Sequence, residues 1–338
     1  MAYTDIDKPT DYFNTVLYTG NATTPTNITG VGFQPDLVWI KNRDNAEMHI
    51  LADAVRGANK LLESNTSDAE LSDTNYIKAF QSDGFQIGSE GAVNGNTQGH
   101  VAWNWLASNT TASNTDGSIT STVSANTTAG FSVGTFTKSG DTTVGHGLGS
   151  TPSLIITRHR NQASDWRVWH SSFGANEYIN LNSTSAKATS TTIWQNTLPT
   201  SYVFSMGSLF DNVASIFYAF AEKKGFSKFG SYVGNGSTDG TFIYTGFKPA
   251  FVLSKLIDSA DNQTIYDNKR DINNVAEQYL LPHSANAEGT ATAWDFLSNG
   301  FKARNTLGFL NTSGGNYIYM AFAENPFVTS GGIPTTAR

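Results

Sequence analysis

One short pattern occurs three times in the chain and constrains its fold more than any other feature. In each copy a glycine is followed three positions later by a proline, then by an apolar run and a basic residue. An aromatic residue lies 16 or 17 positions before each proline, and another closes an apolar stretch 68 to 73 positions after it. Nearly fixed separations between three landmarks predict tandem copies of one structural unit. The prolines are Pro35, Pro152 and Pro249, and the closing aromatic residues are Trp105, Phe220 and Phe322.

The landmarks divide the chain into three units of about 95 residues, a size sufficient for a β-sandwich. The third unit follows the second closely, whereas a polar stretch separates the first two and is predicted to be a linker or a surface hairpin. The predicted divisions are an N-terminal arm (1–14), three repeats (15–107, 131–222 and 230–324), the linker or hairpin (108–130) and a C-terminal tail (325–338).

Composition favours β-structure within each unit. Charged residues make up 14% of the chain, against about 25% in an average soluble protein. Asn, Thr and Ser account for 105 of the 338 residues, and these types suit strand faces and turns better than helix surfaces. One helical pattern, at Val55, Ala58, Leu61 and Leu62, predicts a short helix. We therefore expect an all-β chain of three tandem antiparallel β-sandwich or jelly-roll-like repeats.

Charge and cysteine content exclude several classes of function. The formal charge of −7 argues against binding to nucleic acid, which relies on positive charge. The chain has no cysteine, so disulfide frameworks and cysteine-ligated metals are excluded. No run of 18 apolar residues occurs and the first 14 residues are polar, so we expect no membrane insertion and no secretory signal.

Recognisable catalytic motifs are absent from the sequence, and its six histidines lack metal-ligand spacing. We therefore expect no enzymatic activity, no catalytic or metal-binding residues and no cofactor. Glu222 and Glu324 occupy equivalent repeat positions, which is the arrangement closest to a carboxylate pair. We interpret both as salt-bridge or strand-end residues. Asp53–Arg56 and Asp267–Arg270 also match and predict ion pairs, worth about 0–1 kcal/mol if exposed.

Trp166 is the aromatic residue selected here as a candidate contact for a glycan or a partner protein. It has no aromatic counterpart in the other repeats, and its neighbours Asp165 and Arg167 are polar. Sugar recognition commonly stacks an aromatic face on the sugar ring beside polar side chains. Trp105, by contrast, has aromatic counterparts in both other repeats and is assigned to the core.

Several longer phrases resemble a known family. These are Gly-Phe-x-Pro-Asp-Leu-Val-Trp-Ile-Lys-Asn-Arg at 32–43, Asp-Gly-Phe at 83–85, Ser-Asn-Gly-Phe at 298–301, Lys-Phe-Gly-Ser-Tyr-x-Gly-Asn-Gly-Ser at 228–237 and Ala-Phe-Ala-Glu-x-Pro-Phe at 321–327. They resemble an uncharacterised repeat in virion proteins of tailed, often marine, bacteriophages. The middle repeat departs from the pattern, with Gly-Leu-Gly-Ser-Thr-Pro in place of the Gly-Phe-x-Pro phrase.

The resemblance implies a virion structural protein, assembled in the host cytoplasm and acting in a tail fibre or other peripheral appendage for host attachment. The alternatives are a capsid decoration (head fibre) protein, a lectin-like module for host glycans and, least favoured, a glycan-degrading enzyme. The expected partners are other virion proteins and a host surface glycan. A homotrimer is favoured over a monomer in which the three repeats form an internal pseudo-threefold arrangement.

Overall fold

The structure is a computed structural model that describes residues 3–138 and 140–335. Residues 1–2 of the predicted arm, Ser139 and residues 336–338 of the predicted tail lie outside the described residues. Strands dominate, they pair in antiparallel fashion, and the sheets form sandwich-like layers. The prediction of an all-β chain is confirmed.

The first segment contains nine strands and one short helix. Pro9–Asp11 form a 3₁₀ turn before it. Its elements are β1 (Phe13–Thr19), β2 (Thr26–Thr29), β3 (Leu37–Asn42), β4 (Ile50–Asp53), β5 (Lys60–Glu63), β6 (Leu71–Ser72), β7 (Ile77–Gln81), β8 (Gly84–Ile87), α1 (Gly91–Asn94) and β9 (Gly99–Trp105). The predicted helix at 55–62 is wrong, because the adjacent Leu61 and Leu62 are both buried on β5, a strand with a covered side chain on each face.

The second segment begins with a hairpin. Residues 108–130, predicted to be a linker or a surface hairpin, contain two strands that extend the second large sheet. The elements of this segment are β10 (Ala112–Asn114), β11 (Ser121–Asn126), β12 (Phe131–Thr137), β13 (Thr142–Gly145), β14 (Leu154–His159), β15 (Arg167–His170), β16 (Glu177–Asn180), β17 (Ala188–Thr189), α2 (Thr191–Trp194), β18 (Val203–Met206) and β19 (Ala214–Phe220).

The third segment follows after six residues and ends in the longest strand. A 3₁₀ turn at Ser208–Phe210 precedes β19 in the second segment. The third segment comprises β20 (Ser227–Val233), β21 (Phe242–Tyr244), β22 (Phe247–Leu256), β23 (Gln263–Asp267), β24 (Ala276–Tyr279), β25 (Gly289–Leu297), β26 (Gly300–Ala303), α3 (Gly308–Asn311) and β27 (Asn316–Pro326).

Each segment has two sheets, called here the large sheet and the outer sheet. The outer sheet has fewer strands than the large sheet in the first two segments, and both have four strands in the third. The large sheets are ordered β1-β9-β3-β4-β5-β6, β10-β11-β12-β19-β14-β15-β16-β17 and β20-β27-β22-β23. The outer sheets are β2-β8-β7, β13-β18 and β21-β26-β25-β24. In every large sheet the last strand of the segment lies between two earlier strands, one of which follows or contains a landmark proline.

The strand register aligns the landmarks closely. The residue two positions after each proline pairs with the closing aromatic residue, in the pairs Leu37–Trp105, Leu154–Phe220 and Phe251–Phe322. Pro35 and Pro152 precede their strands, whereas Pro249 lies inside β22 at an irregularity of the ladder. Proline has no N–H to donate, so it is tolerated where the ladder needs no donor, either before a strand or at an irregularity.

The three closing aromatic residues meet at the centre of the molecule. Their ring centroids are 6.3 Å apart for Trp105–Phe220, 5.7 Å for Trp105–Phe322 and 5.9 Å for Phe220–Phe322, and all three residues are buried. One continuous apolar cluster contains residues from all three large sheets. The large sheets therefore share a core. Their central strands are apolar on both faces because one face packs on this core and the other on the outer sheet.

The ends of the described chain pack on the body. The Asp5 N–H donates to the Lys224 carbonyl at 2.9 Å, and Ile6 is buried in the shared core. In the predicted tail, the Ser330 N–H donates to Asp7 Oδ1 at 2.6 Å. Among the described residues no helix is long and apolar enough to cross a membrane.

Candidate functional site

The large sheets touch through three interfaces that use equivalent backbone positions. Arg43, Arg160 and Ile257 each donate an N–H to the first residue of the closing strand of their own segment. Each of their carbonyls then accepts an N–H from a neighbouring segment, in the pairs Glu288–Arg43 (2.8 Å), Glu70–Arg160 (2.6 Å) and Lys187–Ile257 (2.9 Å). The first segment thus contacts the third, the second contacts the first, and the third contacts the second, which closes a ring.

A buried charge network forms the interface between the first and second segments. Arg56 Nε donates to Asp53 Oδ2 at 2.6 Å, and both side chains are fully buried. Arg56 Nη1 reaches Glu70 Oε2 at 3.2 Å, and Glu70 also receives two hydrogen bonds from Arg160, at 2.8 and 3.0 Å. The Tyr218 hydroxyl of the second segment donates to Asp53 Oδ2 at 2.9 Å.

The interface between the first and third segments repeats this network. Arg270 Nε donates to Asp267 Oδ2 at 2.6 Å, and Arg270 Nη1 donates to Glu288 Oε2 at 3.0 Å. Arg43 of the first segment holds Glu288 with hydrogen bonds of 3.0 and 2.7 Å. Trp103 Nε1, also of the first segment, donates to Asp267 Oδ2 at 3.1 Å. The Asp–Arg pairs were predicted, but as exposed pairs of small effect. Because both pairs are buried, removing one partner is expected to cost about 3–5 kcal/mol of stability.

The electrostatics of these networks favour the ionised forms. Burial opposes the positive charge of Arg56, but the nearby Asp53 and Glu70 carboxylates outweigh it and raise the pKa of Arg56 above its ordinary value. Burial likewise opposes ionisation of Glu70, whereas hydrogen bonds from Arg160 and the charge of Arg56 bring its pKa below the usual range. Each network is therefore a set of charges that neutralise one another inside the protein.

The third interface, between the second and third segments, uses different chemistry. His170 lies opposite Leu154 in the ladder, as Asp53 lies opposite Leu37 and Asp267 opposite Phe251. A histidine therefore takes the place that an aspartate has in the other two interfaces. His170 Nε2 lies 3.3 Å from the Tyr319 carbonyl, and burial lowers the pKa of His170 to about 4. Lys187 Nζ lies 5.5 Å from the centre of the Phe173 ring. A neutral imidazole thus takes the place of the buried aspartate, and Lys187, whose N–H occupies the position of Glu70 and Glu288, contacts Phe173 and Glu177 of its own segment.

Trp166 is buried, so its expected role as an exposed sugar contact is wrong. Its exposed fraction is 0%, and its indole Nε1 donates to the Glu63 carbonyl of the first segment at 2.8 Å. The ring stacks near Tyr218 and beneath the Arg158 guanidinium, 4.9 Å away. The local sequence does not reveal this burial, because the acceptor of its indole N–H, Glu63, belongs to another segment and its ring partners lie elsewhere in its own segment. It is an interface residue.

The neighbours of Trp166 are only partly exposed and are engaged with each other. Arg167 Nη2 lies 3.3 Å from Asp165 Oδ2, and Arg167 Nη1 donates to Asn180 Oδ1 at 2.6 Å. Asp165 Oδ1 accepts a hydrogen bond from Asn182 at 3.0 Å. Without Trp166 at the surface, Asp165 and Arg167 do not form the aromatic-and-polar site that was expected of them.

A polar cleft of about 680 Å³ opens on the third segment, within the size range of small-ligand sites. Asp271 Oδ2 accepts the backbone N–H groups of Glu277 and Gln278 at 3.0 and 2.7 Å, while burial raises the pKa of Asp271. Asn274 exchanges two hydrogen bonds with the backbone of Phe296. These polar groups hold the loop that forms the wall of the cleft. The lining also includes Lys248, Asn268, Ile272, Asn273, Ser298, Glu324 and Asn325.

The two equivalent glutamates are ion-paired. Glu222 Oε1 lies 2.6 Å from Lys228 Nζ, and Glu324 Oε2 lies 2.7 Å from Lys248 Nζ. Within residues 3–138 and 140–335, no group of three or more His, Asp or Glu side chains is arranged to hold a metal ion.

Comparison with protein families matches residues 8–326 to a domain of unknown function, DUF7483. The chain belongs to this family. The DUF7483 region begins just before the Pro9–Asp11 turn and ends at Pro326, the last residue of β27. It therefore includes all three segments and their interfaces. No curated protein and no solved structure matches the chain.

Proposed function

We propose that this chain is a structural protein of a bacteriophage particle, built from three copies of one β-sandwich unit that close around a pseudo-threefold axis. The observation that carries the proposal is the use of the buried charged groups. Asp53 and Arg56 contact Tyr218 of the second segment, and Asp267 and Arg270 contact Trp103 of the first. A protein on the surface of a particle must resist unfolding, and a ring held by a common core and charge networks supports that requirement.

The repeat interpretation is supported by the equivalence of the contacts. The same order of four strands within each large sheet, the same pairing of landmark residues and the same N–H to carbonyl contact recur around the ring. The residues differ while the geometry stays the same, as expected for duplicated units that have diverged.

The same arrangement bears on the proposed oligomeric state. A homotrimer was expected, with an internally closed monomer as the alternative. The apolar faces around Trp105, Phe220 and Phe322 are already covered within one chain, which supports the monomer. In a tail fibre, a peripheral appendage or a capsid decoration, such a monomer would attach through its outer surface.

The test has two parts. Light scattering on the purified chain is expected to give a molar mass near 36.4 kDa, and a trimer would give about three times that value. Particles of the phage that encodes the chain are then purified by gradient centrifugation and labelled with gold-conjugated antibodies against it. Labelling at one defined position, on the tail or on the capsid, is expected. Absence of the chain from purified particles would refute the structural role.

A further inference from the structure

We propose that the outer sheet of the third segment carries a binding platform for a neutral glycan, formed by Phe242 and Tyr244. Both residues lie on β21 with buried Ile243 between them, and they are 43% and 60% exposed. Since side chains alternate along a strand, the two rings project from the same face of the sheet, about 7 Å apart along the chain. We call these two residues the aromatic platform.

The other segments provide an internal comparison. Ile243, Ile28 and Val144 are equivalent, because each pairs with a phenylalanine on the neighbouring strand of its outer sheet. The residues that flank Ile28 are Asn27 and Thr29, and those that flank Val144 are Thr143 and Gly145. Asn27 and Thr29 are exposed, whereas Thr143 is half-buried and Gly145 is buried. The first segment therefore shows that polar residues satisfy the fold where these two positions face outward. Aromatic residues at both positions of the third segment need a reason other than folding.

The rings of the aromatic platform lie close to the sheet. A Cβ atom added at Gly300 would lie 3.0 Å from Cε2 of Phe242, and one added at Gly246 would lie 3.5 Å from the Tyr244 hydroxyl oxygen. Glycines thus leave room for each ring to rest against the backbone. Such packing limits the motion of the rings and lowers the entropic cost of stacking a ligand on them.

The charged groups beside the aromatic platform are balanced. Lys302 pairs directly with Phe242 across the ladder, and its Nζ lies 2.5 Å from Asp239 Oδ1. Arg304 lies 3.7 Å from Asp239 and 3.3 Å from Asp295. Two cations face two carboxylates, so the surface offers hydrogen-bond donors and acceptors without net charge. Sugar hydroxyls match this arrangement, whereas an anionic polymer would gain nothing from it.

The size of the platform favours a glycan over a protein. Two aromatic side chains provide at most about 300–500 Å² of contact, whereas a stable protein interface requires about 800 Å² on each partner. A sugar ring stacks its apolar face on an aromatic ring and directs its hydroxyls sideways, where Lys302 and Asp239 lie. The aromatic platform therefore suits neighbouring sugar units of one neutral chain. The proposal does not depend on where the protein resides.

Affinity electrophoresis tests the proposal on the full chain. Native gels contain dextran, glycogen, laminarin, mannan or hydroxyethyl cellulose as neutral polymers, with alginate as an anionic comparison. The wild-type chain is expected to be retarded by at least one neutral polymer. The variant Phe242→Asn/Tyr244→Thr, which carries the residues of the first segment, is expected to lose at least 80% of that retardation. The control Tyr202→Thr, which removes an exposed aromatic residue elsewhere, is expected to keep it.

Three results would overturn the proposal: no retardation by any neutral polymer, retardation by alginate alone, or equal retardation of the wild-type chain and the double variant. Urea unfolding of the double variant shows whether it retains the wild-type fold. Should its cooperative transition be lost, the single variants Phe242→Asn and Tyr244→Thr replace it, and reduced retardation is expected in each.

Discussion

Phe322→Ala is expected to destabilise the entire molecule rather than the third segment alone. Phe322 lies 4.9 Å from Phe13, 5.7 Å from Trp105 and 5.9 Å from Phe220, measured between ring centroids, so it contacts both other segments. Truncation of a buried phenylalanine costs about 3–5 kcal/mol, and each aromatic pair adds about 0.5–1.5 kcal/mol beyond burial. We therefore expect a loss of about 5 kcal/mol, a large part of a typical stability of about 5–15 kcal/mol.

Urea unfolding monitored by tryptophan fluorescence and far-ultraviolet circular dichroism measures this effect. Tryptophans occur in all three segments, for example Trp39, Trp169 and Trp294, so fluorescence reports on each. Both signals are expected to shift together to lower urea in a single transition. The control Leu198→Ala, at an exposed leucine, should change the free energy of unfolding by less than about 0.5 kcal/mol. A loss below about 1 kcal/mol, or a first segment that unfolds separately at an unchanged midpoint, would refute a shared core.

Three further predictions concern charge, pH and backbone, and urea unfolding measures each. Asp267→Asn should cost about 3–5 kcal/mol because it removes the nearer of the two carboxylates that buried Arg270 contacts and leaves only Glu288, whereas exposed Asp239→Asn should cost less than about 1 kcal/mol; equal losses would contradict the burial argument. Because burial lowers the pKa of His170 from 6.5 to about 4, the unfolded chain binds more protons between these values. The free energy of unfolding should therefore fall by up to about 3 kcal/mol as pH drops from 6.5 to 4, and His170→Gln should lose that part of the pH dependence. Gly84→Ala should cost about 2–3 kcal/mol, since its Cβ would lie 2.1 Å from the Ile28 carbonyl oxygen; Gly314→Ala, where φ is also positive but nothing lies within 4 Å of the Cβ, should cost less.

Local patterns in the sequence were sufficient to predict β3 and its burial but not β5. The apolar run after Pro35 predicts a strand covered on both faces, and β3 is buried throughout. The pattern at Leu61 and Leu62 was misread as helical, because two adjacent buried leucines fit either a helix or a strand covered on both faces. Periodicity alone does not separate these cases.

The interfaces were harder to predict because their partners come from distant parts of the chain. Arg56 meets Glu70 across 14 positions, whereas Arg270 meets Glu288 across 18. Because these two separations differ, Glu70 and Glu288 do not align when the repeats are compared, although the Asp–Arg pairs do. Trp166 was misassigned for the same reason. Trp166 lies four positions before His170, as His49 lies before Asp53 and Gln263 before Asp267. The hydrogen-bonding side chains of His49 and Gln263 are the signal that this position contacts a neighbouring segment.

The unequal chemistry of the three interfaces determines the order in which the segments can surround the axis. If the three interfaces were identical, exchanging two segments would give a second ring with the same backbone contacts. In that ring Arg43 would face Lys187 in place of Glu288 and would lose its carboxylate partner. Ile257 would face Glu70, which would lose both hydrogen bonds from Arg160 and keep only its contact with Arg56. The divergence of the third interface therefore gives the chain one energetically favoured cyclic order, and misassembly into the opposite order is penalised at two of its three contacts.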